Sequence, residues 1–109
     1  MRKCKITVLK RMVNRDLIDE YMGDEYKTRD LFPCQNFEEG QEFVTDSWGA
    51  PPEGFCTSAW AAIRGYIGVV INGGDLMPWV KQPGAAIACC TDGYRPVVFK
   101  IERIEGGKS

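Results

Sequence analysis

A chain of 109 residues has room for one domain around one hydrophobic core, and 44% hydrophobic with 27% charged residues is an ordinary composition for a globular protein. The formal net charge of −1 offers no general attraction to nucleic acid or to an acidic membrane. The absence of histidine excludes Cys-His and Ser-His-Asp nucleophile systems, imidazole metal ligands and the usual general base near neutral pH.

Residues 4–13 alternate as a strand should, with Cys4, Ile6 and Val8 on one side and Thr7, Leu9 and Arg11 on the other. Asn14, Arg15 and Asp16 supply a helix start, and Leu17 to Met22 a short helix stopped by Gly23, with Leu17, Ile18, Tyr21 and Met22 as its apolar side. Asp24 to Gln35 reads as a polar loop whose end, Leu31-Phe32-Pro33-Cys34, tucks back onto the core. A second strand follows a bend at Gly40, with Phe43 and Val44 on opposite faces. Trp48 to Gly54, with Pro51 and Pro52, is a loop.

The best helix runs from Thr57 to Val70. Cys56, Trp60, Ile63 and Ile67 fall on one stripe at helical spacing, although Gly65 and Gly68 weaken the pattern and Val69-Val70-Ile71 would also suit a separate short strand. Asn72-Gly73-Gly74 ends the element on either reading. A loop with Met77-Pro78-Trp79 leads to Pro83-Gly84.

Residues 84–105 form the clearest local structure, two apolar runs about Asp92-Gly93, a pair suited to a tight reversal. A loop over Thr91 to Tyr94 pairs Cys90 with Arg95, Ala88 with Val97 and Ala86 with Phe99. It sets small residues against Val97, Phe99 and Ile101 and turns Pro96 away from the ladder. Cys89 and Cys90 then point to opposite faces. Residues 106–109 read as a disordered tail. The order predicts a single α+β domain over residues 1–105, an antiparallel curled sheet or partial barrel with one main helix and a C-terminal β-hairpin. No apolar run reaches membrane-spanning length and Met1-Arg2-Lys3 does not lead into a signal-peptide core, so the expected setting is the cytoplasm, without membrane or nucleic-acid partners.

The joint pattern of Lys5 to Lys10, Cys34 before Phe37-Glu-Glu-Gly-Gln-Glu-Phe43, Pro52-Glu-Gly-Phe-Cys56 with Trp60, Gly73-Gly74, Pro78-Trp79, Pro83-Gly84, and Ala88-Cys-Cys-Thr-Asp-Gly93 with Arg95-Pro96-Val97 resembles a family of small proteins common in anaerobic bacteria, which has no assigned function. The resemblance spans nearly the whole chain and implies one compact domain. It draws attention to Cys34, Cys56, Cys89 and Cys90 and implies no activity. Family members carry an aromatic residue where this chain has Ser58, a departure that alters a pocket wall.

Five cysteines are many for this length, an odd number without a secretory framework, so reduced thiols are expected. Cys34, Cys56 and one of Cys89 or Cys90 could together hold zinc, copper or an iron–sulfur cluster, since thiolates suit soft metals. Without a Cys-x-x-Cys knuckle, packing as small hydrophobes is the favoured account, and no cofactor is favoured over those metals. Cys56 at a helix start could also be an activated thiol, although the same position begins the buried stripe.

The expected binding residues are Trp48, Glu53, Cys56, Trp79 and Arg95, lining a pocket for a small molecule between the hairpin, the helix start and the tryptophan loops. Asp46, Asp75 and Asp92 could serve as acids or bases, although Asp92 is explained by its turn and Asp75 by exposure after Gly74. Two further classes compete with the binding domain. One is a histidine-independent enzyme or enzyme subunit using thiol or carboxylate chemistry. The other is an interaction module or homodimer, suggested by a free edge on the first strand and by a basic N-terminal stretch beside acidic residues 16–46.

Overall fold

The computed structural model describes residues 2–27 and 32–105. The elements in order are β1 (Arg2–Arg11), α1 (Arg15–Tyr21), α2 (Asp24–Lys27), β2 (Glu42–Thr45), α3 (Thr57–Ile71), β3 (Ala85–Cys89) and β4 (Val97–Glu105). The four strands form one antiparallel sheet in the order β2-β1-β4-β3, which does not close on itself. The chain is an α+β domain with an open antiparallel sheet and a C-terminal hairpin of β3 and β4, as expected. β1 lies in the interior of the sheet, paired with β4 along its length and with β2 from Cys4 to Thr7, so over that stretch it offers no free edge. It and β4 are the longest strands and pair along their whole length, with one register shift between Val8 and Lys10.

The period-two alternation sorts each strand into two faces. Cys4, Ile6 and Val8 of β1, Val97, Phe99 and Ile101 of β4 and Ala86 of β3 are buried beneath α3. The helix brings Ala59, Trp60, Ile63, Ile67 and Val70 to meet them, with the expected stripe intact from Trp60 onward. Burying each such large side chain stabilises the fold by about 1.5–3 kcal/mol. At the N-terminal end of α3 the core becomes aromatic. Phe37, Phe43, Phe55 and Phe99 meet edge-on or tilted, with centroids 5.1 Å apart for Phe37–Phe99 and 4.9 Å for Phe43–Phe55.

α3 runs on through Ile71, so Val69-Val70-Ile71 is its last turn and not a strand. Its end is a Schellman turn, in which Gly73 N–H donates to Val70 O and Gly74 N–H to Val69 O, with Gly73 at φ 92°. Arg103 of β4 completes it: Nη1 donates to Val70 O at 2.8 Å and to Gly74 O at 3.0 Å, a cation on the negative end of the helix.

Several local expectations change. Within α1 only Ile18 is buried, while Leu17 and Tyr21 are exposed, so one position is covered and not a whole apolar side. Residues 24–27 form a helical turn instead of loop, and Leu31 lies outside the described residues, as does the tail 106–109.

The hairpin keeps its faces but shifts its register by two residues, pairing Ala88 with Phe99 and Ala86 with Ile101. On the other side of β4, Met12 N–H donates to Pro96 O and Asn14 N–H to Tyr94 O, so the pairing of β1 continues past the end of the β3 ladder. Gly93 is not at positive φ; the turn is instead held by Asp92 Oδ1, which accepts the N–H groups of Tyr94 and Arg95.

Candidate functional site

The residues singled out in the sequence do not converge on one place. Trp48 is committed to the helix: Arg64 Nε donates to its carbonyl at 2.9 Å, the guanidinium lies 4.9 Å from the ring centroid, and the ring rests against Gly68. Arg95 is held within its own loop and the neighbouring one, with Nε 3.7 Å from Asp92 Oδ2 and Nη1 donating to Phe32 O. Asp75 Oδ1 accepts the N–H of Met77, an exposed turn contact. Asp75 and Asp92 thus each serve a turn.

The thiols divide between the faces of the sheet. Cys4 is fully buried under α3 and pairs with Arg103 across the ladder; burial, with the nearby Glu102 carboxylate second, pushes its thiol up to about 12. Cys34, Cys56 and Cys90 are half-buried and pack against the core. Cys90 Sγ accepts the Val97 N–H at 3.3 Å, and Asn36 Nδ2 donates to Cys56 Sγ at 3.8 Å. Cys89 is exposed on the opposite face, as alternation requires. Among the described residues no three of Cys, Asp, Glu or His are grouped to hold a metal ion, so Cys34, Cys56, Cys89 and Cys90 do not assemble as a ligand set. Strand alternation separates the last two, and none of the described turns supplies a pair of thiols from one loop.

Grooves formed by described residues lie on both sides of the sheet. The first, about 410 Å³, lies along the β2 side and is lined by Lys3, Val44, Asp46, Ser47, Pro52 and Glu53, the one expected binding residue it contains. The second, also about 410 Å³, lies on the β3 side of the face opposite α3. Trp79, Val80, Lys81, Gln82, Ile87 and Lys100 line it, and Ala85 forms its floor. Among the described residues, neither groove is lined by a cysteine or by Arg95.

The second groove has the more informative chemistry. Trp79 is 91% exposed, which leaves a large apolar ring almost wholly in water at the rim of an apolar hollow. Val80 and Ile87 add apolar wall, and Lys81 and Lys100 add positive charge. The polar side is pre-arranged through Glu102: its Oε1 accepts from Gln82 Nε2 at 3.1 Å and lies 3.6 Å from Lys100 Nζ. These contacts hold Gln82 and Lys100 along the groove.

Sequence reasoning found Trp79 but missed its neighbours. The signal for Ile87 and Lys100 was present in the alternation, which puts both on the face away from the Phe99 row. Their approach to Trp79 depends on the path of the loop over residues 76–84, which no local pattern states. No helix among the described residues is long and apolar enough to cross a membrane. Comparison with known proteins returns no matching family model, no matching curated protein and no matching solved structure.

Proposed function

We propose that this protein is a binding domain that takes a small planar molecule bearing negative charge in the groove beside Trp79. The observation that carries this reading is the indole of Trp79, 91% exposed over a groove of about 410 Å³. An aromatic face in water is a stacking platform, and Val80 and Ile87 would cover the second side of a flat ligand. Lys81 sets the preference for an anion, because no ion pair among the described residues offsets its charge, whereas the Lys100 ammonium is balanced by Glu102.

The test uses naphthalene-2-sulfonate and its uncharged relative 2-naphthol as probes, followed through the indole N–H resonances of Trp48, Trp60 and Trp79. The sulfonate is expected to shift the Trp79 signal saturably, to leave buried Trp60 unmoved, and to bind more tightly than the naphthol. Trp79→Ala should weaken binding by about tenfold or more, the equivalent of ~1.4 kcal/mol. No Trp79 shift at millimolar probe, or equal binding to the Trp79→Ala variant, would overturn the reading.

A further inference from the structure

β3 is an edge strand, and its pairing with β4 leaves one side of its backbone unused. Arg103 N–H donates to Gly84 O and Cys90 N–H to Val97 O. Hydrogen-bonded pairs alternate along an antiparallel ladder, so the main-chain groups of Ala86 and Ala88 also face β4, while those of Ala85, Ile87 and Cys89 face outward. Among the described residues no hydrogen bond reaches these outward groups.

Edge strands are usually blunted by a charge, a proline or a bulge. Ala85-Ala-Ile-Ala-Cys89 carries no charge and no proline, and its ladder with β4 runs without a register shift. Ile87 at its centre is half-exposed.

We propose that β3 pairs antiparallel with β3 of a second copy of this chain, about a two-fold axis through Ile87, joining two four-stranded sheets into one. The strand is self-complementary in size. Reading outward from Ile87, both directions present small residues, Ala86 and Ala85 one way and Ala88 and Cys89 the other. An isologous interface requires this property, since residue 85 must face residue 89 of the second copy and residue 86 must face residue 88. The outward N–H and C=O groups of Ile87 then pair with those of Ile87 in the second copy, and the two Ile87 side chains cover each other on the face opposite α3.

Charge distinguishes this edge from the other. β2 paired with itself about Val44 would set Glu42 against Asp46 of the second copy, acid opposite acid on the same face. β3 has no like charges to oppose. A second copy therefore fits β3 and is repelled at β2.

This inference stands apart from the ligand reading, because the groove is formed within one chain. In the dimer the two grooves adjoin, since Ile87 lines each of them. Loss of sulfonate binding would leave the dimer standing, and a monomeric protein would leave the groove standing.

The test is sedimentation velocity of the full chain from micromolar to millimolar concentration. The unmodified protein is expected to pass from 12.2 kDa to twice that mass as concentration rises. Ile87→Pro removes an N–H that faces away from β4, so the single-chain ladder loses no bond and the variant should remain at 12.2 kDa with unchanged far-ultraviolet circular dichroism. Ile87→Lys is the second variant: it keeps the N–H, opposes like charges across the axis and should also remain monomeric. A mass of 12.2 kDa for the unmodified protein at every concentration would overturn the proposal, as would a dimer that survives Ile87→Lys or one abolished by Val44→Lys instead.

Discussion

Cys4 shows how placement decides what a thiol does. It is one of five chemically identical side chains, yet it alone lies at 0% exposure beneath α3, where a thiolate would lose its water and face the Glu102 carboxylate. Its folded pKa, about 12, stands above the ordinary value of 9.0, so the unfolded chain releases this proton first. Stability from the neutral thiol is therefore fully present below about pH 9 and is lost as pH rises toward 12. We expect denaturant unfolding to show an alkaline loss of stability whose slope from this group approaches ~1.4 kcal/mol per pH unit. Cys4→Ala should show a shallower slope over the same range, and an identical slope would refute the assignment. At this scale the sequence supplied residue types and faces: the opposite orientations of Cys89 and Cys90 were readable from alternation. The roles of Trp48 and Arg95 were not, because each is set by a partner distant along the chain, Arg64 for one and Phe32 for the other.

Among the elements, α3 was the most legible, since the spacing of Trp60, Ile63 and Ile67 states both its type and its buried side. Its glycines divide by what surrounds them. A Cβ on Gly74 would stand 2.6 Å from Val69 Cγ1 and 2.8 Å from Val69 O, and the backbone oxygen cannot move without opening the turn. Gly74→Ala should cost about 1–3 kcal/mol. Gly65 is an exposed position inside the helix where a Cβ meets nothing within 4 Å, so Gly65→Ala should stabilise by about 0.5–1 kcal/mol through reduced chain entropy. Thermal unfolding of both variants reads the two signs together; equal shifts would rule out this division. The hairpin was legible in its faces and missed in its register. Alternation fixes which side a residue takes, and a slip of two residues leaves that unchanged, so the apolar pattern could not distinguish the alternatives. The observed register is marked at its two ends by Arg103 N–H on Gly84 O and Cys90 N–H on Val97 O.

At the scale of the whole molecule, the single helical layer leaves one sheet face open, and both grooves lie beside the sheet edges where the connecting loops pass. Amide exchange follows from that layout. In a monomeric Ile87→Lys variant, protection should alternate along β3, with Ala86 and Ala88 slow and the outward amides of residue 87 and Cys89 fast, whereas Ile6 and Phe99 in the two interior strands exchange more slowly than any of these. Uniform protection along β3 in that variant would show that these amides do not point outward. The amino-acid pattern by itself determined the α+β class, the first strand, the Gly40 bend before β2, the buried stripe of α3 and the facing of β3 against β4, because each is a periodic or turn property of a short segment. Only the tertiary structure decided that β1 lies inside the sheet, that Arg103 closes α3, that the phenylalanines from four segments meet, and that Trp79, Ile87 and Lys100 line one groove. Periodicity specifies which side of an element is apolar. It does not specify which element will cover that side, and that choice is made by the burial of the whole chain at once.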